Sequence, residues 1–213
     1  MEKNWLLAYS NLMTIFLVFF LILYVFSLFI DEEKFENVIT SLQIEMGGKP
    51  DVKRLQRIKM RKEEERLAQL LNTFIKEHKG LRKFAQIKIE KREIKVIFAE
   101  PLVFDSGSAE LKPGAIIFLE KLAEILRKIP NEVIIEGHTD NVPPSKNSRY
   151  SSNWELSLAR AFSVVHYFTK IEGLSKKRFI PVGYAEYKPV APNDSEENRR
   201  KNRRIEIKIR RIE

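Results

Sequence analysis

From Trp5 to Ile30 the chain is apolar and uncharged, and Asn11 is the one strongly polar side chain in the run. A helix of that length reaches roughly 39 Å, more than the ~30 Å of a bilayer's hydrocarbon core, so the segment reads as a transmembrane helix. A cleavable leader would have an apolar core of only about 7–15 residues ending in a small-x-small site, and neither feature is present. The span sorts everything after Asp31 onto one side of a membrane. Ahead of it only Lys3 and the α-amino group are positive, and behind it lie Asp31, Glu32 and Glu33. The positive-inside rule then gives residues 1–4 as a short cytoplasmic tail, 5–30 as the span, and the bulk of the chain outside the cytoplasm.

The remaining length, about 180 residues, suits one domain and a connector. With no cysteine, thiol catalysis, disulfides and cysteine-based metal sites are excluded. The net charge of +9 is spread over a mixed Lys- and Glu-rich surface, so a membrane or an anionic polymer is expected as partner and nucleic acid is not. Phe35, Val38, Ile39 and Leu42 recur at i, i+3, i+4 and i+7, the apolar stripe of a short helix beside the bilayer, which Gly47-Gly48-Lys49-Pro50 breaks. That helix either rests on lipid or is a movable cover, and it fills residues 31–50. Residues 51–83 read as a charged helical linker. Its first half is a solvated charge run; its second half carries a stripe, Leu67, Leu70, Leu71, Phe74 and Ile75, expected to dock on the following domain or on a second copy.

From residue 84 to 213 the periodicities alternate. Ile87, Ile89, Ile94, Val96 and Phe98 mark strands around a polar turn, and Pro113 opens a helix that Pro130 closes. Val133 to His138 is a strand ending in polar residues. Ser152-Asn153-Trp154-Glu155 is a capping box for a second helix, with Gly173 suited to its C-terminal stop. Phe179 to Val182 is a further strand. Ile205, Ile207 and Ile209 alternate with Glu206, Lys208 and Arg210, which places the basic C-terminal run on a sheet's outer face. The order β(β)-α-β-α-β-β predicts an α+β domain with helices on one face of a mixed sheet.

The cluster with chemical potential is Glu136-Gly137-His138-Thr139-Asp140-Asn141, followed by Asn153 to Arg160. An acid at a strand end and a guanidinium two turns into the next helix supply the two charges that hold a zwitterionic end group. The carboxylate takes an ammonium, and the guanidinium forks onto a carboxylate. The bland alternative is that Asp140 and Arg160 pair with each other or cap the helix. His138 and Asp140 stand at i, i+2 with no third metal ligand nearby in sequence, and no nucleophile elbow, P-loop or H-E-x-x-H motif occurs; no enzyme activity, cofactor or metal is expected.

Gly137-His138-Thr139-Asp140-Asn141, Asn153 to Ala161, Gly183 to Asn193 and Asn202 to Ile207, in that order, resemble the OmpA-like peptidoglycan-binding domain over roughly residues 87–213. The excursion from Val142 to Ser152, Phe104 to Leu111, and Trp5 with Ala8 to Thr14 resemble the MotB branch in particular. The resemblance implies a stator subunit of an ion-driven, flagellar-type motor. Such a subunit is a homodimer in the bacterial inner membrane, with its N-terminus cytoplasmic and its C-terminal domain periplasmic, inside a ring of MotA-like polytopic partners. It further implies that Asp140 and Arg160 contact the diaminopimelate end of a peptidoglycan stem peptide, with Thr139, Asn153 and Leu156, and more weakly Arg203 and Arg204, around the same groove. Phe35, Val38, Ile39 and Leu42 would correspond to the family's plug.

One departure limits the correspondence. The family carries an ion-binding aspartate where this chain has Asn11, one turn before Thr14 in the ion pathway. An amide neither ionises nor takes up a proton reversibly near neutral pH, and no other acid lies between Trp5 and Ile30. Asn11 is either a substitution that imitates the protonated acid or the mark of a paralogue that anchors without conducting, unless a partner supplies a carboxylate. The expectation is a chain competent for assembly but not for ion flux. The alternative function is a passive membrane-tethered peptidoglycan anchor.

Overall fold

The computed structural model describes residues 3–29, 52–145 and 148–211, together with 35, 38, 39, 41, 42, 45 and 46. The chain divides into two units, Met1–Ile58 and Lys59–Glu213. In the first, helix α1 runs Lys3–Phe29. Its stretch Trp5–Ser27 has a mean hydropathy of 2.3 and lies exposed throughout, as a lipid-facing helix would. Thr14 donates its hydroxyl to Ser10 O at 2.8 Å, the local bond that satisfies a polar side chain inside an apolar helix. Phe35, Val38, Ile39 and Leu42 are helical, and Phe35, Val38 and Leu42 expose about half their surface. The expected break at 47–50 lies outside the described residues. Helix α2, Val52–Glu77, follows.

In the second unit the end of α2 packs into the domain. Leu67, Leu71 and Ile75 are buried in the common core, so of the two docking partners expected for this stripe, the structure supplies the domain itself. The packed unit thus begins at Lys59, ahead of residue 84, where the periodicities begin to alternate. Nor is the charged run wholly solvated. Glu64 is buried, accepting from Asn131 Nδ2 at 2.5 Å and Arg211 Nε at 3.2 Å, while Arg211 Nη2 reaches Glu65 at 2.7 Å. A carboxylate tolerates burial when cations and donors from distant parts of the chain meet it.

A short turn, α3 (Lys79–Arg82), leads into the hairpin of β1 (Ala85–Ile89) and β2 (Glu93–Ala99). The chain then forms α4 (Glu100–Val103), α5 (Pro113–Leu126), β3 (Val133–His138) and α6 (Asn153–His166). A π-helical turn at Tyr167–Ile171 extends α6, and Gly173 (φ 68°) follows in the left-handed conformation. β4 (Phe179–Gly183), α7 (Glu196–Asn202) and β5 (Arg204–Arg210) complete the unit. The sheet order is β1-β2-β5-β3-β4; only β3 and β4 are parallel, joined by the α6 crossover that parallel neighbours require. Ile94, Val96, Phe98, Val133, Ile135, Ile205, Ile207 and Ile209 meet Phe118, Leu122, Leu126, Val164 and Phe168 in one core, which gives the α+β arrangement with its main helices against one sheet face.

The capping box forms with a shifted register. Ser152 Oγ accepts from Glu155 N at 3.3 Å, but the Glu155 carboxylate takes Ser151 N–H at 2.7 Å, one residue before the cap. Two glycines let α6 approach the sheet. A Cβ built on Gly137 would sit 2.0 Å from Ser157 O, and one on Gly183 would sit 2.7 Å from Leu158 N. This close approach brings the start of α6 alongside the C-terminal end of β3, where the cleft lies.

Candidate functional site

Three strand ends converge at one edge of the sheet. Ala99 and His138 both stand opposite Arg204 at the start of β5, so Glu100 and Arg203, one residue further out, and Asp140, two residues beyond His138, become neighbours. With the first turns of α6 they line a cleft of about 810 Å³. Of the residues singled out from sequence, Thr139, Asp140, Asn153, Leu156 and Arg160 all line it.

Asn153 holds the loop after β3, donating from Nδ2 to Asp140 O at 3.1 Å and Val142 O at 3.0 Å. Thr139 takes Ala185 O through its amide at 3.0 Å and Asp140 O through its hydroxyl at 2.9 Å. Asp140 Oδ1 accepts Val142 N–H at 3.0 Å. Arg160 is 2% exposed, lies 5.3 Å from the Phe104 ring centroid, and donates from Nε to Ser108 O at 2.9 Å.

Asp140 and Arg160 do not pair with each other, the bland alternative the spacing left open. Arg160 Nη2 bonds Glu100 Oε1, and Asp140 Oδ2 takes Arg203 Nη1 at 2.5 Å. Arg203 Nε also meets Glu100 Oε2 at 2.9 Å, and its Nη2 meets Glu196 Oε1 at 2.6 Å. The result is an alternating chain of charge: Arg160, Glu100, Arg203, Asp140. Burial pulls the Arg160 guanidinium's pKa down, offset in part by Glu100. Burial also works against Arg203, but Glu196 and Asp140, with Glu100, outweigh it and hold the proton more tightly than in an ordinary arginine.

Arg204 is a correction. The alternation of β5 begins with it and turns it to the sheet face away from the core, where its Nε bonds Glu206 Oε1 at 2.6 Å; Arg203, one residue earlier and outside the strand, reaches the cleft instead. Glu100 was missed altogether. Its only local signal is a position between a strand-like run and Pro101, because its role depends on the pairing of β2 with β5.

The outer face of the sheet, where the alternation of β5 places its charged residues, is a largely buried charged layer. Lys208 Nζ bonds Glu136 Oε2 at 2.7 Å, and His138 Nε2 stands 3.5 Å from the same oxygen and 3.9 Å from Glu206 Oε1, with the His138 ring stacked on Tyr184. Glu136, His138 and Glu206 bring three metal-type ligands together without Asp140, but Lys208 and Arg204 already occupy the two carboxylates and neutralise them. Burial raises the Glu136 pKa, yet the bonds from His138 and Lys208 outweigh it and hold it at about 2. Burial lowers that of His138 despite the pull of Glu136.

Both shifts act in the same direction on stability. Below pH ~6.5 the unfolded chain takes up a proton at His138 that the folded chain resists. The Glu136 contribution, on the order of 3 kcal/mol, is complete above its ordinary range and is lost as pH falls toward 2. The melting temperature should therefore decline as pH drops from 7 to 4. In His138→Gln the decline between pH 7 and 5 should flatten; an unchanged slope would remove His138 from the account.

This architecture, an apolar membrane-length helix followed by a five-stranded α+β domain with an acid–arginine cleft at its edge, defines a membrane-tethered OmpA-type domain. Residues 103–203 match the OmpA family, and residues 1–46 match the family described as membrane MotB of the proton-channel complex MotA/MotB. The chain is 39% identical to the uncharacterized protein YtxE of Bacillus subtilis, covering 98% of this chain and 89% of that one. It is 32% identical to Motility protein B of the same organism, covering 98% and 90%. Among solved structures, the cell wall anchor of the T6SS from Pseudomonas aeruginosa superposes with a TM-score of 0.61 at 33% identity, covering 68% of this chain and 97% of that chain. The chain belongs to the MotB family.

Proposed function

We propose that this protein is the wall-gripping, membrane-anchored subunit of a MotA/MotB-type stator and that its work is mechanical rather than enzymatic. The observation that carries the proposal is the cleft, which Asp140 and Arg160 both line within a charge-balanced network. Asp140 takes the ammonium and Arg160, assisted by Arg203, the carboxylate of a diaminopimelate stem end, with Thr139, Asn153 and Leu156 shaping the groove. The N-terminus is cytoplasmic, α1 pairs with a second copy inside a MotA-like ring, and the helix bearing Phe35, Val38, Ile39 and Leu42 acts as a plug. The wall-anchor description of the Pseudomonas structure and the MotA/MotB description of the N-terminal match support this assignment.

The second reading is a passive wall anchor, and Asn11 favours it, since nothing between Trp5 and Ile30 ionises in place of an aspartate. Purified full-length chain in detergent should sediment with isolated sacculi. Asp140→Ala and Arg160→Met should each reduce the bound fraction at least tenfold, the scale of one charge-assisted contact of about 1.5–3 kcal/mol. Undiminished binding by both variants would reject the cleft as the grip. Co-purification with a ring-forming polytopic partner separates the stator from the passive anchor.

A further inference from the structure

The Asp140 carboxylate has no idle oxygen: Val142 N–H holds Oδ1 and Arg203 holds Oδ2. Arg203 in turn spends its guanidinium on three carboxylates, those of Glu100, Asp140 and Glu196, and is the more exposed member of the pair, its side chain 20% accessible against 8% for Asp140. A ligand offering only an ammonium would be set against the charge of Arg203 and bring nothing to compensate that guanidinium if it were displaced. A ligand offering only a carboxylate would meet a guanidinium whose charge three carboxylates already balance. A zwitterion can exchange both at once, its ammonium replacing Arg203 on Asp140 while its carboxylate receives the released donor. One ion pair within the protein is then replaced by two between protein and ligand, and the net charge of the cleft is unaltered because the zwitterion is neutral.

We infer that Arg203 is a specificity-determining cap on Asp140, which makes the cleft select an unblocked amino-acid centre over an amine or an amidated one. This rests on the assignment of Asp140 to the ligand ammonium. Arg160 is held by Glu100 and Ser108 O with its side chain 2% accessible, whereas that of Arg203 is 20% accessible. A stem peptide whose terminal carboxylate is amidated would lose the partner for the displaced guanidinium, and Arg203 would return to Asp140.

The test is calorimetric titration of the full-length chain in detergent with meso-diaminopimelate blocked at its L-centre (acylated amine, amidated carboxylate), the same compound amidated at the D-centre as well, and cadaverine, which presents amines without a carboxylate. The parent chain should prefer diaminopimelate over the other two by roughly ten- to a hundredfold, the size of a charge-assisted exchange. In Arg203→Met, cadaverine should gain about tenfold or more and the discrimination should collapse. Lys201→Met removes the same charge two residues earlier in the chain, outside the cleft, and should leave the discrimination as it is. Arg203→Gln carries identical expectations should the methionine variant fail to fold, as judged by its melting curve. Diaminopimelate binding with discrimination unchanged in the Arg203 variants overturns the cap. Absence of diaminopimelate binding in the parent, or binding indifferent to Asp140→Asn, overturns instead the assignment beneath it.

Discussion

Glu100→Ala should lower the melting temperature of the folded unit by roughly 6–20 °C. Arg160 lies fully inside the domain, and Glu100 is the only carboxylate bonded to it among the described residues. Truncating one member of a buried ion pair leaves the other uncompensated and costs about 3–5 kcal/mol. A domain of this size shifts by roughly 2–4 °C per kcal/mol. Arg203 would lose one of its three carboxylates as well, since Glu100 Oε2 bonds its Nε.

The paired variant Glu100→Ala/Arg160→Met distinguishes stranded charge from lost packing. Methionine keeps much of the arginine stem against Phe104 while removing the charge, so the double variant should recover most of the lost stability yet bind no wall fragment. A Glu100→Ala melting curve within a degree or two of the parent would mean that Arg160 is stabilised by something other than Glu100. Differential scanning calorimetry of the full-length variants supplies the comparison.

Why Glu100 escaped a reading of the sequence, while Asp140 and Arg160 did not, is a matter of range. Asp140 and Arg160 belong to a strand end and the capped helix that follows it, and both elements announce themselves through local pattern: the apolar run to Ile135, then Ser152 and Glu155. Glu100 enters the cleft only because β2 pairs antiparallel with β5, which places a residue from each half of the domain side by side. No local periodicity contains that pairing. Which of Arg203 and Arg204 faces the cleft was hidden for a related reason. In adjacent arginines, one residue of register decides between the cleft and the opposite sheet face, and the register is set by the ladder to β2 and β3. The α+β class, the span and the alternation of β5 were legible because each is written in the spacing of apolar residues along a single element. The burial of Glu64, Glu136 and Glu206 was not, because charged residues read as solvated until the partners that neutralise them, Arg211, Lys208 and Arg204, are folded alongside.

Asn11→Asp should convert a non-conducting assembly into an ion-conducting one when co-expressed with a MotA-like partner. The amide at position 11 offers a donor and an acceptor but no exchangeable charge, so it can hydrogen-bond to a neighbouring helix but cannot load and release a proton in a cycle. A carboxylate at the same depth is costly when isolated, and it persists only where a cavity or a partner helix stabilises it. Thr14 lies one turn away with its hydroxyl committed to Ser10 O, so it provides no titratable substitute. Proton or sodium flux into vesicles holding the co-expressed complex should thus be at background for the chain with Asn11 and clearly above background for Asn11→Asp. Asn11→Gln, which lengthens the side chain without adding an acid, should stay at background. Flux in the Asn11 complex that vanishes only when this subunit is removed would show that the carboxylate comes from elsewhere. Silence of Asn11→Asp in a complex proven to contain the partner would place this chain among passive wall anchors, held in the membrane by α1 and to the wall by the cleft.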